Sequence, residues 1–216
     1  MQNSQPDGFL AMPPAGKGDA VLVFHAWWGL NDTLRAFCTR LAGAGYLAFA
    51  PDLYHGKVAD TIEGAEALAG ELDAHHEQAL ADVHAAAQFL QAHAGTRTLA
   101  VIGFSLGAFY ALRLATTAPE GVRAVVLFYG TGYGDFNQSQ AAFLGHFAEN
   151  DVYEPAEGVA ELEAEIRQAG RPVTFHDYPG TGHWFFEADR TQADDPDAAV
   201  LAWERILAFL QSAPTA

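Results

Sequence analysis

One serine in this chain sits where a serine can be turned into a nucleophile. The run Gly103-Phe104-Ser105-Leu106-Gly107 follows an apolar, β-branched stretch, residues 98–102, and leads into a helical one, residues 108–117. A G-x-S-x-G pattern between a strand and a helix puts its serine on a sharp turn with the hydroxyl outward. The flanking glycines let the helix and the neighbouring strand close in. The N–H groups opening that helix, Leu106 first, would then face any oxyanion formed at the serine. A plainer assignment makes Ser105 a helix N-cap and the glycines packing residues. The complete strand, turn and helix context favours the nucleophile.

A serine hydroxyl attacks only when a base takes its proton and an acid holds the base, and on such a turn the chain order is serine, acid, histidine. The acid belongs just beyond a later strand. Residues 141–147 are followed by the polar turn Glu149-Asn150-Asp151, and Pro155 suits the first turn of the next helix, which makes Asp151 the expected acid and Glu149 the second choice. The base belongs on the loop after the last strand, where Pro179-Gly180-Thr181-Gly182 leads into His183. The other histidines read differently. His25 ends the first core strand, ahead of the serine. His75, His76, His84 and His93 belong to an alanine-rich helical stretch, in solvated or capping roles, and His55, His146 and His176 lie on or beside strands as structural groups. His76-Glu77 opens a metalloprotease-like H-E-x-x-H, but Leu80 stands where its second histidine must be. No metal and no cofactor is expected.

The elements needed to position these groups are visible as alternating runs. Buried parallel strands are expected at residues 20–24, 46–50, 98–102, 122–128, 141–147 and 172–178, with an edge strand at 9–12 before Pro13-Pro14. Helices are expected at 30–44, 62–93, 106–117, 156–169 and 198–210, and the Pro/Gly clusters at 13–18, 130–134 and 179–182 read as turns. Alternation of this kind implies a mostly parallel sheet covered on both faces, with ligands bound at the carboxyl ends of its strands. With 216 residues, half of them hydrophobic, one core and one domain over 1–216 are expected. The net charge of −16 argues against nucleic acid or an anionic membrane surface as partner. The single Cys38 excludes an internal disulfide framework and fits a reducing compartment. No secretory signal or span-length apolar run opens or crosses the chain, so a soluble, cytoplasmic protein is expected, as a monomer or small homo-oligomer.

At this point the sequence resembles the dienelactone hydrolase family of the α/β-hydrolase fold. The resemblance is carried by Gly29-Leu30-Asn31, Gly45-Tyr46, Ala50-Pro51-Asp52-Leu53-Tyr54, the turn at Ser105, Phe128-Tyr129-Gly130, Asp151 with Pro155, and Tyr178 with Gly182-His183. It implies a Ser105–His183–Asp151 triad, a second oxyanion donor at the Trp27 N–H, and a small ester or lactone as substrate. Two departures matter. The best-characterised members carry a cysteine nucleophile and a nearby glutamate, where this chain has Ser105 and Ala26. They also bind a substrate carboxylate with arginines, one of them four residues after the histidine, a position held here by Glu187, which would repel an anion. Arg35 and Arg40, the basic residues closest in sequence to the oxyanion loop, are expected to face solvent or pair with acids. Trp28, Tyr54, Tyr129 and Trp184 fall near strand ends and are the candidate substrate contacts, lining a narrow apolar cleft for an uncharged acyl group. The competing readings are a catalytically silent binding protein that keeps the fold, and the same triad used for perhydrolysis.

Overall fold

The computed structural model describes residues 5–213. Its centre is one seven-stranded sheet: β1 (Gly8–Ala11), β2 (Ala20–Phe24), β3 (Leu47–Pro51), β4 (Leu99–Phe104), β5 (Val122–Phe128), β6 (Ala142–Asn150) and β7 (Val173–Gly182). The strands lie in the order β1-β3-β2-β4-β5-β6-β7, with β1 antiparallel at one edge and all other pairs parallel. Alternate side chains enter opposite layers, as the two-residue period of a strand requires. Leu22, Phe24, Val101 and Leu127 pack on one face against α3 (His76–Ala94), α4 (Leu106–Thr117) and α5 (Ala156–Gln168). Val21, Val23, Ile102 and Val126 pack on the other against α1 (Asp32–Gly43) and α6 (Pro196–Ser212). Both faces are covered, which is why the inner strands read as continuous apolar runs.

From β2 the chain crosses to β3 on one side, then returns past β2 to β4 on the other. The loops leaving β2 and β4 therefore diverge, and a crevice opens between them at the carboxyl ends of the strands. That crevice is where Trp27 and Ser105 meet.

The sequence-based expectations need three adjustments. The helical stretch 62–93 is two helices, α2 (Ile62–Ala74) and α3, separated at His75, whose backbone leaves helical geometry (φ −117°, ψ 34°) while its Nδ1 bonds the Glu71 carbonyl at 2.8 Å. Neither Gly nor Pro marks this break. The cluster 179–182 is not a turn but the end of β7: the register shifts there, with Tyr178 to Gly182 on β7 spanning only Ala148 to Asn150 on β6, so the extra residues bulge from β7 and Asn150 lies opposite Gly182. Arg40 is exposed, as expected, and Arg35 half-buried; neither pairs with an acid among the described residues, and they stand over the rings of Trp203 and Phe9, at 4.0 and 5.5 Å. No helix of the described residues is long and apolar enough to cross a membrane.

Candidate active site

β4 delivers Ser105. Its last residue, Phe104, still pairs with Phe128 on β5, and Ser105 then turns abruptly with φ 50° and ψ −113°, a region L-residues rarely enter. Two glycines make the turn possible. A Cβ at Gly103 would overlap the Gly107 carbonyl, and one at Gly107 would overlap the Phe24 carbonyl at the end of β2. The Ser105 N–H donates to the Phe128 carbonyl at 2.9 Å, tying the turn to the sheet. Although Ser105 occupies the N-cap position of α4, its side chain makes no capping bond. Its hydroxyl instead lies 2.9 Å from His183 Nε2.

His183 follows directly on β7, and its Nδ1 lies 2.7 Å from Asp151 Oδ2, both side chains being almost wholly buried. Asp151 follows β6 in the same way. Its second oxygen, Oδ1, accepts from the N–H groups of Tyr153 (2.9 Å) and Glu154 (3.0 Å), an Asx-type turn that fixes the carboxylate before it reaches the imidazole. Glu149 is elsewhere: its carboxylate accepts from the Gly180 N–H at 2.8 Å and steadies the end of β7. The three expected residues are thus joined in one row by two hydrogen bonds, with each member supplied by the end of a different strand.

Backbone strain is concentrated here. Three of the four non-glycine residues with positive φ among the described residues are Ser105, Tyr129 (34°) and Trp184 (68°). The Tyr129 ring, fully buried, packs 4.9 Å from the His183 ring, and its hydroxyl donates to Glu187 Oε1 at 2.9 Å. Burial pushes the Glu187 carboxyl up to about 8, with Asp189 adding to the effect while the Tyr129 bond and Arg190 oppose it. Glu187 therefore does not stand in the cleft as a repelling charge. It is 1% exposed, behind His183, and its other oxygen has no partner.

The loop leaving β2 completes the site. His25, buried at its root, has both ring nitrogens engaged: Nδ1 with the Ala26 carbonyl (2.8 Å) and Nε2 accepting from the Leu53 N–H (3.2 Å). Burial holds its pKa down, consistent with a neutral ring latching this loop to the one after β3. Trp27 and Leu106 flank Ser105, and neither backbone N–H donates to a carbonyl among the described residues. For Leu106 this is the ordinary condition of the first turn of a helix.

Around Ser105 and His183 lies a cleft of about 250 Å³. Trp27, Trp184 and Phe109 line it, joined by Thr131, Tyr153 and Glu154. Of the expected substrate contacts only Trp184 has a place here. Trp28 is buried against Trp184 (ring centroids 5.1 Å apart) with the Arg190 guanidinium on it at 3.9 Å, and Tyr129 supports His183 from the core. Tyr54 packs on His25 at 4.8 Å and lines a separate pocket with Leu68 and Leu72. Proximity to a strand end says nothing about which way a ring turns. Tyr153 and Glu154 were missed, though a signal exists: a turn closed by Asp151 must carry the next residues past the histidine.

A largely parallel sheet with helices on both faces and a serine held on the strand-to-helix turn after β4 defines an α/β-hydrolase fold. Within that class the chain belongs to the dienelactone hydrolase family, whose sequence model matches residues 7–213. It is 31% identical over 218 residues to a protein of Aquifex aeolicus provisionally named a carboxymethylenebutenolidase, covering 95% of this chain and 92% of that one. A Bradyrhizobium protein provisionally named a 2-oxo-3-(5-oxofuran-2-ylidene)propanoate lactonase is 29% identical over 220 residues, covering 94% and 88%. A solved structure from Klebsiella pneumoniae, provisionally described as a dienelactone hydrolase, superposes with a TM-score of 0.80 at 26% identity, covering 93% of this chain and 90% of that one. The protein is a hydrolase.

Proposed function

We propose that the protein is a serine hydrolase that cleaves small, uncharged esters or lactones through an acyl-enzyme. The observation that carries this reading is the row Ser105 Oγ, His183, Asp151 with separations of 2.9 and 2.7 Å. As Ser105 Oγ adds to the ester carbonyl carbon, its proton passes to His183 Nε2, and Asp151 stabilises the imidazolium through Nδ1–H. The N–H groups of Leu106 and Trp27 face the oxygen on which negative charge develops, each such donor being worth on the order of 10²-fold in rate. Collapse of the tetrahedral intermediate breaks the bond to the leaving alkoxide, which takes the proton from His183. Water, deprotonated by the same imidazole, then attacks the acyl-Ser105 carbonyl, and the acid leaves as the proton returns to Ser105.

The family's named relatives point to lactones, and the cleft's size suits a small acyl group. The lining supports an uncharged one, since no Lys or Arg reaches the cleft and Glu154 brings a carboxylate to it. The test is labelling by a fluorophosphonate probe together with turnover of short p-nitrophenyl esters and simple lactones. Both are expected of the native protein, and both are expected to vanish in Ser105→Ala. Turnover that survives in that variant refutes Ser105 as nucleophile, and an unlabelled, inactive native protein refutes the hydrolase chemistry assigned to it.

A further inference from the structure

Glu154 is an acid without a counter-ion in the place where a substrate must sit. Its carboxylate accepts from the Thr131 hydroxyl at 2.8 Å, and both residues line the cleft beside Ser105. No basic side chain pairs with it among the described residues, and Lys and Arg are absent from the cleft lining. The remaining arginines near the site are committed elsewhere: Arg190 lies on Trp28 and against Asp189, and Arg40 lies on Trp203. The same cleft is also walled by aromatic rings. Tyr153 meets Trp27 edge-on at 5.8 Å and Trp184 at 5.0 Å, so three ring systems border one opening.

A half-buried carboxylate with no cation of its own is poorly compensated, and aromatic faces attract positive charge through their quadrupole. Resting on the esterase reading above, we propose that the cleft selects substrates carrying a positively charged ammonium group, held between the Glu154 carboxylate and the Trp27, Tyr153 and Trp184 rings. The long-range field agrees, since a net charge of −16 draws cations toward the protein and repels anions. Partial burial raises the Glu154 carboxyl above its ordinary range, with Asp151 adding to the effect while the Thr131 bonds and His183 oppose it. A bound cation would relieve that.

The experiment compares acetylthiocholine with 3,3-dimethylbutyl thioacetate, the same shape with carbon in place of the quaternary nitrogen. The cationic ester is expected to have about tenfold higher kcat/KM, the size of one partly desolvated ion or cation–π contact. In Glu154→Gln the ratio of the two should fall most of the way to one. Because both esters share the same reacting group, any effect of the substitution on His183 cancels in that ratio. Independently of any variant, tetramethylammonium should inhibit hydrolysis of p-nitrophenyl acetate competitively, while neopentyl alcohol should be much weaker. Equal kcat/KM for the two thioesters, or a ratio unmoved by Glu154→Gln, overturns the charge selection while leaving the esterase reading intact. Failure to hydrolyse either thioester or p-nitrophenyl acetate refutes the esterase reading itself.

Discussion

Replacing Glu187 by glutamine should make the protein more stable, and increasingly so as the solution becomes alkaline. The carboxyl is 1% exposed, holds one hydrogen bond from Tyr129, and has its other oxygen unpaired. Its pKa is raised from 4.5 to about 8, chiefly by burial. Below pH 4.5 the folded and unfolded chains both carry the proton, but between 4.5 and 8 only the folded chain does. Unfolding then releases a proton, so stability falls as pH rises through that window. At 1.36 kcal/mol per pH unit the full loss is on the order of 5 kcal/mol. Glutamine keeps an oxygen for the Tyr129 hydroxyl and exchanges one unpaired polar atom for another, so it should be nearly neutral at the acid end. Other titrating groups contribute equally to both proteins and drop out of the difference. The assay is thermal unfolding by circular dichroism from pH 4.5 to 8.5. For a chain of this size the variant's Tm should exceed the native by roughly 10 °C at the alkaline end and converge with it at the acid end. A difference that does not change with pH would refute the claim that Glu187 is protonated in the folded protein.

Asp151→Asn should lower kcat by ~10⁴ by favouring the wrong imidazole tautomer, whereas Glu149→Gln should leave turnover within a few fold. The reverse result in steady-state assays would move the acid to Glu149. A substrate bearing a free carboxylate should be turned over ~10²-fold less efficiently than its methyl ester, since no cation in the cleft offsets its desolvation. A preference for the acid in matched kcat/KM measurements would contradict that lining. Ser105→Gly should be ~1 kcal/mol more stable than Ser105→Ala, with a higher urea midpoint, because glycine meets no penalty at φ 50°. Equal midpoints would mean that the turn is not strained.

The three residues that meet in the hydrogen-bonded row were legible because each is announced by local pattern: a motif between strand and helix for Ser105, and polar turns closing apolar runs for Asp151 and His183. What surrounds them was not. Glu187 is four residues past His183, and the family resemblance implies that this position faces the substrate. In the fold the chain doubles back after Trp184 and carries that carboxyl beneath Tyr129, a course set by tertiary packing. Tyr54 and Trp28 sit at strand ends as expected, but their rings fill the layers on either side of the sheet. The helix break at His75 has no residue that demands it, and the extension of β7 depends on a register shift against β6 that local pattern does not announce. Most strand interiors, by contrast, were legible within a few residues, because full burial on both faces leaves an uninterrupted apolar run.

The turn at Ser105 is tied to the sheet by main-chain atoms: its own N–H on the Phe128 carbonyl, and glycines that admit the neighbouring backbone. The side chain makes no capping bond to α4, and its hydroxyl goes to His183 instead. Such a mount is indifferent to the element it presents, so oxygen and sulfur can be interchanged there by a one-residue change without redrawing the scaffold. What would have to change with the atom is its surroundings: Ala26 offers only a buried methyl where a thiol-handling carboxylate could stand. Divergence between alcohol and thiol chemistry in a fold like this one would then be written in the loop after β2, and the strand that carries the reacting atom would keep its geometry throughout.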